Sequence, residues 1–321
     1  MSILVFLDQA DGHIKKSSFE AANYAAKIAQ LLNTNAEALL LGTVNDDLST
    51  LGNYGITKVH TVAEASLNNF DASVFTKIIA QAVDAIDAAV IVFTNNSAGK
   101  AVAPRLSVRL KAGLVSGAIA LPDLGNGFVV KKTVFSGKAF ANIAISTAKK
   151  IIALNPNSYN IEMTTGTAEV VPFAATIEAA KVEVTAVNKL TGEVSLSEAD
   201  IVVSGGRGLK GPENWGPVIE LASLLGAATA CSRPVADINW RPHHEHVGQT
   251  GLAIAPNLYI AIGISGAIQH LAGVNRSKVI VVINKDPEAP FFKAADYGIV
   301  GDAFEVMPKI IAAVKKLKGV A

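Results

Sequence analysis

Polar side chains that could bind a ligand follow apolar segments in the C-terminal part of the chain. Ser204, Arg233, Ser265, Asn284 and Asp302 each stand at or just after the end of such a segment. Because the carboxyl ends of parallel strands lie at one edge of a sheet, these side chains are expected at a common ligand-binding edge. This clustering is the strongest functional signal that the residues alone provide.

A glycine-rich segment follows the first of these predicted strands. Gly206, Gly208 and Gly211 have the G-x-G-x-x-G spacing in which backbone N–H groups and a helix N-terminus bind a pyrophosphate. An NAD site would add an acidic residue about 20 positions further on, where this chain has Cys231-Ser232-Arg233. The loop indicates a nucleotide. An NAD(P)-dependent dehydrogenase, with Arg233 against a 2′-phosphate, remains the first alternative.

The segment His243-His244-Glu245-His246 offers metal ligands in sequence. It has no histidine pair at helical i, i+4 spacing and follows Pro242, which favours a solvated loop over a metal site. The single cysteine, Cys231, excludes an internal disulfide or iron–sulfur cluster and is expected to be buried and inert. No acid, base or nucleophile constellation stands near these motifs, so we expect a carrier without a substrate reaction of its own.

The N-terminal half predicts alternating strands and helices. Apolar runs predict strands at 3–7, 37–41, 58–62, 88–93, 114–121, 150–155 and 182–188, and a hairpin at 128–146. Ser17 and Glu20 have capping-box spacing for a helix to Leu32, and a second helix is predicted over 72–86.

The C-terminal half predicts a tighter alternation. Strands are expected at 201–204, 228–231, 258–264, 278–283 and 297–300, a helix that ends at Gly226, and a last helix capped at Asp302 or starting near Pro308. The turn-rich segment 189–197 separates the halves. The fold class is therefore α/β with two domains, 1–190 and 191–321, each a parallel or mostly parallel sheet flanked by helices.

Composition narrows the partners. The chain has 321 residues, half of them apolar, and a net charge of +1 without a basic stripe, so no nucleic-acid partner is indicated. The first apolar run, 3–7, is too short for a membrane span or a signal sequence. We expect a cytoplasmic protein, or a processed one in the mitochondrial matrix if the source is eukaryotic.

Four blocks in the C-terminal half, at 201–211, 247–251, 265–270 and 283–290, closely resemble the electron-transfer flavoprotein alpha subunit family in order and spacing. The Val-Phe-Ser-Gly-Lys-Ala hairpin at 134–139 is similar to the first domain of that family. The resemblance implies a Rossmann-like domain that holds FAD in an extended conformation. It also implies a heterodimer with a beta subunit, which carries AMP or a second FAD and against which the N-terminal domain docks.

The resemblance also implies roles for individual residues. It puts the Thr250 hydroxyl at flavin N5, His270 beside the C2 carbonyl, Ser265 at the pyrophosphate, and Asn284 and Asp302 at the adenosine end. The implied FAD contacts are Arg207, Ser232, Arg233, Val247, Gly248, Gln249, Thr250, Ser265, Gly266, Ala267, Ile268, Gln269, His270, Asn284 and Asp302.

Each role has a structural alternative. Arg233 could be a surface cation, Thr250 a turn residue, His270 a partly buried histidine with satisfied hydrogen bonds, and Asp302 a helix N-cap. The Asp302 readings are compatible with each other, because an N-cap carboxylate can also contact the adenosine.

The resemblance implies electron transport in fatty acid β-oxidation. Electrons would arrive from flavin dehydrogenases such as those for acyl-CoA and leave for a quinone oxidoreductase, through an anionic semiquinone. Positive charge at Arg233 and hydrogen bonding by His270 would favour that negatively charged state. A second alternative is a nucleotide-binding interaction subunit without redox activity.

Overall fold

The computed structural model describes residues 2–187 and 194–320. The chain forms two compact units, Met1–Asn188 and Lys189–Ala321, and each has the predicted α/β architecture. The boundary expected at 190/191 lies outside the described residues, as does most of the turn-rich segment around it.

The N-terminal unit is built on a nine-stranded sheet. Its strands and helices are β1 (Ser2–Leu7), β2 (Gln9–Ala10), β3 (His13–Ile14), α1 (Lys16–Leu31), β4 (Ala36–Leu41), β5 (Lys58–Val62), α2 (Ala72–Ala85), β6 (Ala88–Thr94), α3 (Ser97–Leu110), β7 (Gly113–Ala118), β8 (Val129–Val134), β9 (Ala139–Ala144), β10 (Lys150–Leu154) and β11 (Glu169–Pro172). The sheet order is β11-β5-β4-β1-β6-β10-β7-β8-β9, and β2 and β3 form a separate antiparallel pair.

Burial on both faces explains the continuous apolar strands of this unit. Every residue of β1 is buried; Ile3 and Val5 pack in the core that contains α1, and Leu4 and Phe6 in the core that contains α2 and α3. Within the described nine-stranded sheet, the antiparallel pairings are β7–β8 and β8–β9, and the second of these is the predicted hairpin. The sheet is therefore mostly parallel.

Two N-terminal predictions are wrong. Ser17 and Glu20 do not form a capping box, because α1 begins at Lys16; the buried Glu20 carboxylate instead accepts backbone N–H groups of 157–159 at 2.7–2.8 Å. Residues 182–187 form no strand and are exposed, while residue 188 lies outside the described residues. The missed edge strand is β11, which pairs with β5.

The C-terminal unit is built on a five-stranded parallel sheet. Its elements are β12 (Ile201–Gly205), α4 (Gly216–Leu225), β13 (Ala228–Cys231), α5 (Arg233–Asp237), β14 (Leu258–Ile262), α6 (Ile268–Val274), β15 (Val279–Asn284), β16 (Tyr297–Val300) and α7 (Ala303–Lys318). The strand order is β13-β12-β14-β15-β16. The chain adds β13 on one side of β12 and the later strands on the other side, so the topological switch point lies between β12 and β14, as in Rossmann-like folds. A ligand crevice is expected beyond the carboxyl ends of these two strands.

Helix ends in this unit follow the sequence signals. Gly226 adopts the left-handed conformation (φ 64°) after α4, and the Asp302 carboxylate accepts the Phe304 N–H at the start of α7. Pro308 lies inside α7 rather than in its first turn. Among residues 2–187 and 194–320, no helix has the length and hydropathy needed to cross a membrane.

Candidate functional site

The backbone N–H groups of the glycine loop after β12 already donate hydrogen bonds within the protein. The Gly206 N–H donates to the Ile262 carbonyl at 2.9 Å and the Gly208 N–H to the Gly263 carbonyl at 3.0 Å, while the amides of 209–211 bond within the loop. A Cβ on Gly206 would lie 2.3 Å from the Gly263 oxygen. The glycines therefore permit close packing of two backbone segments and leave a pyrophosphate few N–H groups.

The helix after this loop is also displaced. A 3₁₀ turn, Pro212–Trp215, separates the loop from Gly216, where α4 begins. The G-x-G-x-x-G spacing thus lacks the direct helix N-terminus of a dinucleotide fingerprint. This arrangement weighs against the NAD(P) dehydrogenase alternative.

Two segments from different parts of the unit meet at the predicted ligand edge. We call 247–251 and 265–270 together the loop pair. The Gln249 N–H donates to the Gln269 carbonyl at 2.7 Å, and the Val247 N–H donates to the Cys231 carbonyl at 3.1 Å. Gly273 of α6 lies so close that a Cβ there would be 2.5 Å from the Gly248 Cα. The fold therefore brings together two of the segments that the sequence singles out.

The loop pair presents polar groups outward over a buried base. Gln249, Thr250, Ser265, Ala267, Ile268 and Gln269 are exposed, whereas Val247, Gly248, Gly266 and His270 are buried. The Ile268 side chain is 60% exposed at the start of α6. The loop pair thus offers hydroxyl and amide groups beside an apolar surface.

His270 is the buried polar group of the loop pair. Its Nε2 lies 2.7 Å from the Tyr259 hydroxyl, and its buried Nδ1 has no hydrogen-bond partner. Burial, with a smaller contribution from the charge of His246, lowers the pKa of His270 to about 4. His270 is therefore neutral near pH 7 and acts as a hydrogen-bonding group, not as a cation. Tyr259 is a site residue that the sequence reasoning missed.

Arg233 is exposed as the first residue of α5. Its Nε lies 3.3 Å from the Asp237 carboxylate, one turn further along the helix. The neighbouring Ser232 is buried; its N–H donates to the Gly205 carbonyl at 3.1 Å, and its side chain does not cap α5. The structure therefore fixes the backbone at 232–233 beside β12 and leaves a partly neutralised cation at the sheet edge. Arg207 is a second exposed cation, in the glycine loop.

Asn284 and Asp302 lie at the ends of β15 and β16. The Asn284 amide donates to the Ile264 carbonyl at 2.9 Å and accepts the Asp286 N–H at 3.0 Å. Its backbone carbonyl accepts the Gly301 N–H at 3.0 Å, next to the N-cap Asp302. Both side chains hold local structure, and both are only partly buried.

Ser204 differs from the other strand-end residues. Its side chain is fully buried, and its Oγ has no hydrogen-bond partner of good geometry. It therefore does not line the exposed edge with Arg233 and Ser265, contrary to the sequence-based expectation. Ser204 lies on the face of β12 that packs toward α6.

The sequence suggested that the histidine-rich segment is a solvated loop, but part of this segment is buried. His243 and His244 are exposed, but Glu245 and His246 are buried. The Glu245 carboxylate accepts hydrogen bonds from Arg241, at 2.9 Å for Nε and also through Nη2, and from the Thr229 hydroxyl at 3.2 Å. Within the described part of the chain, no three His, Cys, Asp or Glu side chains are arranged to hold a metal.

The Arg241–Glu245 pair anchors the approach to the loop pair. The Glu245 side chain is 1% exposed, and the Arg241 guanidinium lies 5.8 Å from the centre of the Trp215 ring. The spacing i, i+4 was the only sequence signal for this pair. Because Val247 follows two residues later, the pair positions the start of the first loop.

Cys231 ends β13 beneath this segment. Its side chain is fully buried. Burial, reinforced by the Glu245 carboxylate, raises the pKa of the thiol to about 12. The thiol is therefore protonated and inaccessible in the folded unit, in keeping with the sequence expectation.

Comparisons with known proteins cover nearly the whole chain. A family model described as "Electron transfer flavoprotein domain" matches residues 3–189, and one described as "Electron transfer flavoprotein FAD-binding domain" matches residues 195–275. The second match contains the loop pair.

Curated relatives match at full length. The electron transfer flavoprotein subunit alpha of Bacillus subtilis is 38% identical over 323 residues, covering 98% of each chain. The subunits of the same name from Syntrophomonas wolfei and Thermoanaerobacterium thermosaccharolyticum are 35% and 36% identical, over 97% and 98% of this chain and 98% of each relative.

Proposed function

Because this chain belongs to the electron transfer flavoprotein alpha subunit family, we propose that it is the FAD-binding subunit of a heterodimeric electron carrier. The observation that carries this proposal is the meeting of the loop pair at the carboxyl edge of β14, inside the region matched by the FAD-binding family model. Polar groups from two segments lie together there, at the edge of the sheet where ligands bind in this kind of fold.

The residues present fit FAD. A flavin ring needs an apolar surface for its face and donors for its nitrogen and carbonyl edge; Ile268 supplies exposed apolar area, and Thr250 and Gln249 supply hydroxyl and amide groups. The unpartnered Nδ1 of His270 is a buried polar atom that still requires a partner. We assign this end of the loop pair to the isoalloxazine.

The remaining parts of FAD are assigned to residues further along the same edge of the sheet. We assign Ser265 and Gly266, with the neighbouring 267–269 backbone, to the pyrophosphate. Asn284 and Asp302 are assigned to the adenosine end, where they lie close together beyond β15 and β16. Asp302 can keep its N-cap bond there, since a carboxylate has further lone pairs for a ribose hydroxyl.

When bound, FAD would supply the one-electron redox chemistry of the carrier. The residues of this chain would tune it electrostatically. Arg233 offers a positive charge, which Asp237 partly offsets at 3.3 Å, and His270 offers a neutral hydrogen-bonding edge. Donors that stabilise negative charge on a ligand raise its affinity for an electron.

The proposed partners are those of the family. A beta subunit carrying AMP or a second FAD would complete the heterodimer, and the N-terminal unit would dock on it. Acyl-CoA dehydrogenases or other flavin dehydrogenases would donate electrons, and a quinone oxidoreductase would accept them. We propose a cytoplasmic location, which suits a chain whose one thiol is unpaired.

Co-expression with its beta subunit and purification of the complex test this function. We expect a yellow heterodimer that releases one FAD per alpha chain on denaturation, and an alpha chain that is poorly soluble or flavin-poor when expressed alone. A colourless complex, or one that retains NAD(P) in place of flavin, would contradict the proposal. A stable, flavin-saturated monomer would contradict obligate pairing alone.

A further inference from the structure

Three polar side chains lie together in the apolar core between the sheet and α6. Tyr259 and Ser204 are fully buried, on β14 and β12, and His270 is more than nine-tenths buried on α6. The Tyr259 hydroxyl contacts His270 Nε2 at 2.7 Å, whereas the Ser204 Oγ has no hydrogen-bond partner of good geometry. A buried polar chain of this kind is costly unless its donors and acceptors are matched.

The proton positions on Tyr259 and His270 can be assigned by elimination. A neutral imidazole carries one N–H, and the other nitrogen accepts. Among the described residues, the Tyr259 hydroxyl makes one hydrogen-bond contact of good geometry, to His270 Nε2 at 2.7 Å, and a buried O–H without an acceptor is costly. Nε2 therefore accepts the proton of the Tyr259 hydroxyl, and the ring N–H lies on Nδ1.

We propose that Tyr259 is a positioning residue for His270: by donating to Nε2, it holds the imidazole as the Nδ1–H tautomer and fixes a hydrogen-bond donor at the base of the loop pair. The Nδ1–H is then a buried donor without a partner of its own.

The position of the ring N–H on Nδ1 matters for the proposed ligand, and in that respect the inference rests on the proposed function. A flavin presents carbonyl oxygens at its pyrimidine edge, and an Nδ1–H group can donate to one of them. The opposite tautomer would direct a lone pair at that oxygen and repel it. Tyr259 would thus influence flavin chemistry without touching the flavin.

The direct test is the ¹⁵N spectrum of the histidine rings in the heterodimer, measured with and without flavin. The six histidines are labelled selectively, and the His270 signals are assigned by their loss in His270→Gln. In the wild type we expect a protonated Nδ1 and an unprotonated Nε2 for His270 at pH 7. An Nε2–H signal in the wild type would overturn the proposal without any variant that could misfold.

The matched variants are Tyr259→Phe and Tyr297→Phe. Each removes one hydroxyl, but Tyr297 is 67% exposed on β16. Tyr259→Phe should lower the Nδ1–H to Nε2–H ratio of His270 about fivefold, as expected for one lost hydrogen bond of about 1 kcal/mol. Tyr297→Phe should leave the ratio unchanged. An unchanged ratio in a folded Tyr259→Phe protein would also overturn the proposal.

Measurements of flavin binding and of the flavin potential distinguish a failure of the proposed function from a failure of the role of Tyr259. In the loaded heterodimer, Tyr259→Phe should weaken binding of the reduced flavin relative to the oxidised flavin by about fivefold, which lowers a one-electron potential by about 40 mV. If the heterodimer binds no flavin, the proposed function fails while the tautomer assignment can stand. If flavin binds and neither the tautomer nor the potential responds, the role of Tyr259 fails alone.

Discussion

Replacing Arg241 with methionine is expected to destabilise the C-terminal unit by about 4 kcal/mol. Methionine keeps most of the packing against Trp215 but removes the cation that bonds the Glu245 carboxylate through two nitrogens. The carboxylate is 1% exposed and would keep the Thr229 hydroxyl as a neutral partner. Removing one member of a buried ion pair costs about 3–5 kcal/mol, because the other charge stays desolvated.

That free energy converts to a large thermal shift. The C-terminal unit, Lys189–Ala321, has about 130 residues, so its entropy of unfolding is about 0.3 kcal/mol per kelvin near the melting temperature. A loss of about 4 kcal/mol therefore lowers the melting temperature of this unit by about 13–15 °C. Differential scanning calorimetry of the purified heterodimer measures this shift.

The chain contains a matched control with the same i, i+4 spacing. Arg233 and Asp237 form an exposed pair, with side chains 60% and 51% exposed, and Asp237→Asn should change stability by less than about 0.5 kcal/mol. The double variant Arg241→Met/Glu245→Leu should recover most of the loss, since it leaves no unpaired buried charge. If Arg241→Met shifts the melting temperature no more than Asp237→Asn does, the pair does not anchor this segment.

Three further outcomes follow from the site. In the loaded heterodimer, Arg233→Ala should lower the one-electron potential of the flavin by about 40 mV and Asp237→Asn should raise it, since an exposed charge at about 4 Å contributes about 1 kcal/mol; reductive titration that finds both variants unchanged would make Arg233 a bystander. Asp302→Ala should weaken FAD retention about tenfold, by ultrafiltration, while the potential stays constant; a shift as large as that of Arg233→Ala would reverse the assignment of the two ends. The pKa of His270 is about 4 when folded and near 6.5 when unfolded, so the unfolded state takes up the proton first as the pH falls. Stability should therefore drop between pH 6.5 and 4, by up to about 3 kcal/mol, and urea titrations of His270→Gln should show a smaller drop than those of the wild type.

The sheets were largely predictable because most of their strands are continuous apolar runs. Strands β13 and β16 were predicted to the residue, since polar or turn residues bound each run. Strand β11 was missed because it is a short, largely exposed edge strand that ends at Pro172, and an edge strand need not be apolar. The strand predicted at 182–188 is absent over the described residues 182–187, because valines in an exposed polar segment do not form a strand without a neighbouring strand to pair with.

The site was predictable as a set of loops but not as a set of contacts. The motifs at 247–250 and 265–270 identified segments that the fold brings together. The Tyr259–His270 contact joins residues 11 apart and depends on how β14 leads into α6, which no local pattern encodes. The glycine loop shows the reverse case: its spacing suggested free N–H groups, but pairing with the 262–263 backbone had already used them.

Cys231 can serve as an intrinsic probe of transient opening of the C-terminal unit. Because it is the only thiol in the chain and is fully buried with a raised pKa, a reagent such as a disulfide dye can modify it only in molecules whose β13 has come away from the core. The labelling rate then measures how often the sheet opens, without any introduced probe. Since the Cys231 carbonyl also holds the Val247 N–H, the same measurement shows whether an occupied loop pair keeps that strand closed.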